Sequence, residues 1–214
     1  MNLSEIVSAI AGVMSPLDWA LTASGVACVA LTVRQNVWNW PIGIVNSAVF
    51  LVVTVQHKLY SDGGLQVLYI VLGAYGLWHW LYGNPAKRDA LPVTRAPIAE
   101  AAIAFVVAVV FFVGLGLVLD RLTDTDVPFY DAFPTTTSLL AQYFLTRKYL
   151  LNWPVWIFLV NVPYLALYLY KDIRPLAALQ PVYMALSVWG WVDWRRSLDQ
   201  QPATVVAPAI ASGT

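Results

Sequence analysis

Charged residues and cysteines are scarce in this chain of 214 residues, and each shortage excludes a class of protein. Only 11% of the residues are charged and 59% are hydrophobic, whereas soluble domains carry roughly 25% charged residues. The formal net charge of +0 provides no basic face for phosphates, which excludes nucleic acid as a partner. The single cysteine, Cys28, excludes an intrachain disulfide. The composition therefore indicates an integral membrane protein in contact with lipid.

Motifs for enzymatic chemistry and for ion coupling are also missing. The sequence has no GxxxxGK[ST] motif, and His57 and His79 have no partner at metal-ligand spacing. Residues 176–194 contain no lysine, which a retinal-binding protein of seven helices would need. Apart from Asp131, ionisable side chains lie at the ends of apolar runs, whereas proton and ion relays use such groups in mid-bundle. We therefore expect no catalytic residue, no metal site, no cofactor and no obligatory ion coupling.

Seven apolar runs are long enough to cross a bilayer as helices, which takes about 17–25 residues. Their ranges are 17–33, 39–56, 64–82, 97–119, 129–146, 153–170 and 176–194. The fourth run has no polar residue in its interior beyond Glu100 near its start. The sequence therefore predicts an all-α membrane protein in which the fourth helix is a linker that faces lipid.

The three runs before the linker and the three runs after it share an internal repeat. The motif Asn-Trp-Pro at 39–41 returns at 152–154, and Leu-Gln-x-x-Tyr at 65–69 returns at 179–183. Three crossings followed by one connecting crossing bring the second unit back in the orientation of the first. The repeat thus predicts a 3+1+3 arrangement of two parallel three-helix units.

This arrangement divides the chain into five segments and gives it an orientation. The segments are an N-terminal interfacial segment (1–16), repeat 1 (17–82), a loop with linker helix 4 (83–128), repeat 2 (129–196) and a disordered cytoplasmic tail (197–214). Lysine and arginine number eight on the side of the C-terminus and four on the other side. The excess of basic residues predicts that the C-terminus is cytoplasmic and the N-terminus outside.

Amide side chains at membrane depth are the first candidates for a binding site. A buried amide costs free energy unless it bonds to another helix, a water or a ligand. For each single amide, a bond between helices explains its presence as well as a ligand does. Five of them, on helices that parallel repeats bring together, favour a shared site: Asn46, Gln66, Gln142, Asn161 and Gln180.

Aromatic side chains and the polar fifth run complete the set of candidates. Tyr69 and Tyr183 follow the two glutamines by one turn, and Trp156 and Trp189 lie deep enough to stack on a planar ligand. The fifth run carries Asp131, whose cost in hydrocarbon favours a cavity-lining helix, although hydroxyls in such a helix also bond back to their own backbone. Seven tryptophans lie near helix ends, and most of them are interpreted as interfacial anchors: Trp38, Trp40, Trp78, Trp80, Trp153, Trp191 and Trp194.

Four stretches of the sequence carry a family resemblance: NWPIGIVNSAVF, KLYSDGGLQVLY, GLWHW and LTRKYLLNWPVWIFLVN, of which TRKY-x-x-NW at 146–153 is the most specific. They resemble the PnuC-type bacterial vitamin transporters, whose best-known members take up nicotinamide riboside. The resemblance, from about Leu17 to Arg196, implies a bundle similar to the SWEET sugar transporters, often a homotrimer, in the bacterial inner membrane. It also implies facilitated diffusion, trapping of the vitamin by a cytoplasmic kinase, and a pocket with Asn46, Gln66, Asp131, Trp156 and Asn161.

Two other functions remain open at this point. The family that the sequence resembles also contains thiamine, riboflavin and deoxynucleoside carriers, and a sugar pore of the SWEET type would have a similar bundle. A structural subunit without cargo is the other alternative. Competition between glucose and nicotinamide riboside separates a sugar pore from a vitamin transporter, and a cavity too small for a nucleoside would favour the structural subunit.

Overall fold

The computed structural model describes residues 15–56, 60–84, 91–123 and 125–201, and within these ranges the protein consists of seven helices without a β-strand. The helices are α1 (Pro16–Val33), α2 (Asn39–Gln56), α3 (Tyr60–Tyr82), α4 (Ile98–Leu122), α5 (Pro128–Thr146), α6 (Asn152–Tyr170) and α7 (Arg174–Asp199). Among them α2, α4 and α6 are long and apolar enough to cross a membrane by length and composition alone. The prediction of an all-α membrane fold is confirmed.

The ends of the chain fall largely outside these ranges. The predicted interfacial segment 1–16 and the predicted tail 197–214 lie mostly among residues that the structure does not describe. The helix α7, however, continues through Asp199, which lies three residues inside the predicted tail. The side chain of Gln201 then donates a hydrogen bond to the carbonyl oxygen of Val93 at 3.1 Å. The first residues of the predicted tail are therefore part of the fold.

Six of the helices form a closed ring. The helix α1 packs on α2 and α7, α3 packs on α2 and α5, and α6 packs on α5 and α7. The two contacts between the halves of the chain, α1 with α7 and α3 with α5, each join the first helix of one half to the third helix of the other. A two-fold axis through the ring would generate these two contacts from each other.

The remaining helix, α4, lies outside the ring and packs on α5. Small residues of α4 such as Ala104 and Ala108 face α5, and Phe105 meets Phe144 with 5.9 Å between ring centroids. Its other side exposes large apolar side chains, including Val110 at 68% exposure. An exposed surface of this kind is suited to lipid rather than water, in agreement with the prediction for this helix.

Four tryptophans form the core at one end of the ring, which we call the tryptophan end. Trp40 meets Trp80 edge to face with 5.4 Å between ring centroids, and Trp153 meets Trp194 in the same way with 5.3 Å. All four side chains are at most 5% exposed, whereas Trp38 is 63% exposed. The interpretation of Trp40, Trp80, Trp153 and Trp194 as interfacial anchors is therefore wrong, because their rings pack on one another inside the bundle.

The segment that precedes α4 covers the tryptophan end. Leu91 and Val93 are buried against the four tryptophans, although the sequence analysis assigned this stretch to a loop. The backbone of Thr94 pairs with the α5–α6 turn, accepting from Leu150 at 2.9 Å and donating to the Lys148 carbonyl at 3.2 Å. The segment therefore adds apolar contacts and two backbone hydrogen bonds, which the periodicity of the sequence does not predict.

Lys148 is buried where this segment meets the tryptophan end. Its Nζ donates a hydrogen bond to the Leu91 carbonyl at 2.6 Å and lies 4.6 Å from the centroid of the Trp80 ring. The residue is only 3% exposed. Burial away from water lowers the pKa of Lys148 to about 8, because desolvation disfavours the charged form.

We expect the stability of the protein to rise with pH above about 8 through Lys148. The folded-state pKa is about 8 and an unfolded lysine has a pKa of about 10.4, so between these values the unfolded chain binds more protons. Stability therefore increases with pH across this window. Thermal unfolding in detergent from pH 7 to 9.5 should show a steeper rise for the wild type than for Lys148→Met. Equal slopes for the two proteins would contradict the prediction.

Candidate functional site

A cavity of about 430 Å³ lies inside the ring, and all six ring helices contribute side chains to its wall. Its volume falls in the range of roughly 300–1,000 Å³ that small-molecule sites occupy. None of the described residues that line it carries a charged side chain. The wall combines apolar groups with amides, hydroxyls and aromatic rings, so it suits a neutral or weakly charged ligand with several hydrogen-bonding groups.

Seven of the ten candidate site residues line this cavity: Asn46, Gln66, Tyr69, Gln142, Trp156, Asn161 and Tyr183. They come from α2, α3, α5, α6 and α7, which lie on both halves of the chain. The structure therefore brings together side chains that are up to 137 positions apart, the separation of Asn46 and Tyr183. Whether they contact a ligand stays a prediction.

The other three candidates lie away from the cavity wall. Asp131 is at the opposite end from the tryptophans, where Lys171 contacts both carboxylate oxygens at 2.7 and 2.8 Å and the Thr125 hydroxyl donates a further bond. Gln180 is buried, and Trp189 is 48% exposed. The ion pair gives Asp131 a structural partner, so its charge is compensated without a ligand.

A π-helical turn in α6 places Trp156 and Asn161 in the cavity wall together. In a regular α-helix residues five apart point in different directions, but residues 155–161 form i→i+5 hydrogen bonds. The turn ends where the backbone N–H of Val162 donates to the Ile157 carbonyl. The extra residue per turn is therefore accommodated between Trp156 and Asn161, and such turns are frequent at functional sites.

A hydroxyl from α5 supports this irregular turn. Pro163 has no backbone N–H, so the Leu159 carbonyl lacks the donor that a regular helix would supply from position 163. The Thr137 hydroxyl lies 2.6 Å from that carbonyl across the helix interface, closer than the Phe133 and Pro134 carbonyls of its own helix at 2.9 and 3.2 Å, so its proton is best donated to Leu159. Threonine side chains commonly satisfy backbone groups that prolines leave free in membrane helices.

Thr137→Val is expected to destabilise the protein by about 1 kcal/mol through loss of this interhelical bond. Thr135→Val is the matched control, since the Thr135 hydroxyl donates only within its own helix, to Asp131 at 3.1 Å. Thermal unfolding of both variants in detergent measures the difference. If the two substitutions lower the unfolding temperature equally, the Thr137 hydroxyl does not support α6.

Asn46 illustrates how an amide can serve both roles that the sequence left open. Its Nδ2 donates to the Leu21 carbonyl at 2.8 Å and to the Ser24 hydroxyl at 2.7 Å, which joins α2 to α1. The same residue lines the cavity. Its nitrogen is thus used for packing, and a ligand would meet the oxygen of the amide.

The hydroxyl of Tyr69 joins the two halves of the chain beside the cavity. It shares a short hydrogen bond with the Ser138 hydroxyl, which itself donates to the Thr135 carbonyl at 2.7 Å. Because the proton of Ser138 is used there, Tyr69 acts as the donor in the shared bond. This contact fixes α3 against α5 and holds the ring of Tyr69 in the wall.

The cavity also has lining residues that the sequence argument missed. Trp40 and Trp153 close it at the tryptophan end, and Asn39 lies beside them. The signal was present in the Asn-Trp-Pro repeat, but the position of both motifs near helix ends favoured an interfacial role. Burial of the two rings became visible only with the helix packing.

Comparison with known proteins identifies the family. Residues 15–196 match the family model described as "Nicotinamide mononucleotide transporter", which is most of the chain. The chain belongs to this family. Members of the nicotinamide mononucleotide transporter family are membrane transporters and not enzymes, so the protein is a transporter, and the resemblance seen in the sequence is confirmed.

Individual relatives agree with this assignment and differ in their cargo. The nicotinamide riboside transporter PnuC of Escherichia coli K12 is 27% identical over 66% of this chain and 69% of its own length. PnuC of Neisseria mucosa is 21% identical over 89% of this chain and 77% of its own. The riboflavin/roseoflavin transporter RibM of Streptomyces davaonensis is 27% identical over 86% and 88%.

A solved structure shows the same fold. The crystal structure of the vitamin B3 transporter PnuC superposes with a TM-score of 0.69, covering 92% of this chain and 88% of that one. The sequence identity is 20%, so this likeness concerns the fold. The family match and the structural match together establish a membrane transporter of the nicotinamide mononucleotide transporter family with a PnuC-like bundle.

Proposed function

We propose that this transporter carries nicotinamide riboside into the cytoplasm by facilitated diffusion, and that a cytoplasmic kinase then traps the vitamin by phosphorylating it. The observation that carries the proposal is the uncharged cavity lined by amides and aromatic rings at the centre of a six-helix ring. Such a wall matches a planar heterocycle with a carboxamide and a sugar. The PnuC relatives, which are nicotinamide riboside transporters, support the same cargo.

The absence of charge in the described wall favours the riboside over the mononucleotide. A phosphate monoester carries about −1.5 to −2 charges at neutral pH and is normally bound by arginine, lysine or clustered backbone N–H groups. The lining residues include neither arginine nor lysine. Transfer of a phosphate into this cavity would therefore leave its charge without a partner.

Trp156, which lines the cavity, would stack on the pyridinium ring, because the face of an indole attracts its positive charge. The amides Gln66, Gln142, Asn46 and Asn161 supply donors and acceptors for the carboxamide and the ribose, with Tyr69 and Tyr183 beside them. Asp131, Gln180 and Trp189 are not needed for this site. Their positions outside the cavity argue for structural or lipid-facing roles.

The helix contacts support two parallel three-helix repeats joined by α4, as in a SWEET-like carrier. The ring contacts and the equivalent tryptophan pairs are those that a two-fold axis along the membrane normal would relate. The excess of lysine and arginine favours a cytoplasmic C-terminus, and the tryptophan end would then lie in the cytoplasmic half of the membrane. The bacterial PnuC relatives support a location in the bacterial inner membrane. The exposed apolar surfaces are compatible with a homotrimer.

Transport in this scheme requires no ion gradient. The ring alternates between outward-open and inward-open states, and the vitamin binds both with similar affinity. An energy source is unnecessary because the kinase removes free vitamin on the inside. The described residues of the wall include no acidic or histidine side chain of the kind that ion coupling commonly uses in mid-bundle.

Binding of five ligands to the detergent-purified protein, compared side by side, tests the proposal. We expect nicotinamide riboside to bind, and nicotinamide mononucleotide, thiamine and glucose to bind at least tenfold more weakly. Riboflavin is the second candidate, because RibM is as similar to this chain as PnuC of Escherichia coli in percentage identity. Stronger binding of riboflavin than of nicotinamide riboside would make riboflavin the cargo. If proteoliposomes take up neither compound, both are rejected as cargo.

A further inference from the structure

Two tyrosines occupy equivalent places in the two halves of the chain but differ in what their hydroxyls do. Tyr69 and Tyr183 end the repeated Leu-Gln-x-x-Tyr motif, and both line the cavity. The Tyr69 hydroxyl shares a hydrogen bond with Ser138 across the interface of α3 and α5. The Tyr183 hydroxyl has no hydrogen-bond partner among the described residues. The repeat therefore supplies one bonded phenol and one free phenol.

The residue that faces each tyrosine explains the difference. Gly25 and Ser138 hold the same position in the two halves, 14 residues before the asparagine of the Asn-Trp-Pro motif. A Cβ atom at Gly25 would lie 2.8 Å from the Tyr183 hydroxyl oxygen, so this oxygen lies against α1, where α1 packs on α7. Glycine has no side chain that could bond to the phenol there, whereas the hydroxyl of Ser138 bonds to Tyr69.

The Tyr183 hydroxyl is accessible at the wall of the cavity. It lies between Tyr183 and Gly25, and both residues belong to that wall. Tyr183 is only partly buried, and its oxygen retains accessible surface, in contrast to the fully buried and unpartnered indole nitrogens of Trp40 and Trp153. A free hydroxyl at such a wall bonds to water or to a ligand that displaces the water.

From this geometry we infer that Gly25 is a specificity-determining residue, because it keeps the Tyr183 hydroxyl free to bond to a sugar hydroxyl of the cargo. A phenol hydroxyl donates one hydrogen bond and accepts others, as a sugar hydroxyl does, whereas a carboxamide is matched better by the amides of the wall. The inference rests on the proposed function, since it assigns the sugar of the same cargo to the side of the cavity between α1 and α7.

Calorimetry with nicotinamide riboside and its 2′-deoxy, 3′-deoxy and 5′-deoxy analogues tests the assignment on Tyr183→Phe, which removes the hydroxyl and keeps the ring. We expect the riboside affinity to fall about three- to tenfold, the range for one hydrogen bond between uncharged groups. The analogue that lacks the bonded hydroxyl should bind to Tyr183→Phe as it binds to the wild type. Tyr170→Phe is the matched control and should leave all four affinities unchanged, because Tyr170 is 68% exposed and lies outside the cavity wall.

Gly25→Ser tests the glycine itself. Serine at this position recreates the pair that Ser138 forms with Tyr69, and the atom that must shift to make room is the far end of the Tyr183 side chain. We expect Gly25→Ser to weaken riboside binding, and the double variant with Tyr183→Phe to bind no more weakly than Gly25→Ser alone. The effects should not add, because both changes remove the same hydrogen bond from the cargo. Additive losses would show that Gly25 does not act through Tyr183 and would overturn its role.

Thermal unfolding in detergent separates binding from a structural role of the Tyr183 hydroxyl. Because this hydroxyl has no partner in the described part of the chain, Tyr183→Phe should unfold at the wild-type temperature. Ser138→Ala removes the partner of Tyr69 and should unfold at a lower temperature. An equal loss of stability in the two variants would assign the Tyr183 hydroxyl to the fold and overturn the inference.

The binding data distinguish failure of this inference from failure of the proposed function. Unchanged riboside affinity of Tyr183→Phe, or an equal loss for the riboside and all three deoxy analogues, would overturn the inference while the proposed function stands. Lack of riboside binding by the wild type would instead overturn the proposed function, and the role of Gly25 and Tyr183 with it.

Discussion

Gly190→Ala is expected to prevent folding or to destabilise the protein strongly. A Cβ atom at this position would lie 2.3 Å from Cζ2 and 2.4 Å from Cη2 of Trp153. Overpacking a core typically costs about 1–3 kcal/mol and occasionally more. The cost here should reach the upper end, because the ring that must move is 1% exposed and is blocked by Trp194.

An equivalent contact exists in the first half of the chain, so the prediction can be tested at a second position of the same protein. An added Cβ at Gly76 would lie 2.3 Å from Cη2 of Trp40, whose ring is held by Trp80. Gly76→Ala should therefore behave like Gly190→Ala. Thermal unfolding and size-exclusion profiles in detergent measure both, relative to the wild type.

Gly114→Ala is the matched control for these substitutions. It also lies inside a helix, α4, but a Cβ there meets no other atom within 4 Å. Alanine has a higher helix propensity than glycine by about 1 kcal/mol, so this variant should be as stable as the wild type or more stable. A stable Gly190→Ala protein would mean that the tryptophan end can repack, and its close packing would then not hold the bundle together.

The helices and their order were predictable, since apolar runs of spanning length dominate the sequence. The repeat of Asn-Trp-Pro at 39–41 and 152–154 also pointed to two related halves. The roles of individual side chains were harder to predict, because depth along a helix does not fix the direction in which a residue points. Trp189 and Trp156 both lie deep in a helix, but Trp189 is half exposed and Trp156 lines the cavity.

Two further features depended on contacts that sequence periodicity does not encode. The segment with Leu91 and Val93 was assigned to a loop, but backbone pairing with the α5–α6 turn holds it against the core. The π-helical turn in α6 adds one residue between Trp156 and Asn161, so a reading with 3.6 residues per turn assigns Asn161 to the wrong face. Both depend on partners distant in sequence, such as the Thr137 hydroxyl.

Trp156→Ala is expected to lower the affinity for nicotinamide riboside at least tenfold, which corresponds to about 1.4 kcal/mol. The indole supplies both a stacking surface and an attraction for the pyridinium charge, and alanine supplies neither. The fold should persist, because Trp156 lies in the cavity wall and is only partly buried, whereas Trp153 is buried at the tryptophan end. Calorimetry on the purified variant, together with its unfolding temperature, measures the two effects separately.

Trp189→Ala and Trp156→Phe make this result specific to the stacking role. Trp189 is 48% exposed and lies outside the cavity, so its loss removes an equally large ring without touching the proposed site. We expect Trp189→Ala to bind like the wild type and Trp156→Phe to retain most of the affinity, because a phenyl ring still stacks. Comparison with an uncharged, reduced form of the riboside isolates the charge: Trp156→Ala should weaken its binding less than that of the cationic form. Unchanged binding by Trp156→Ala would remove this residue from the site and leave the cavity without a place for the ring.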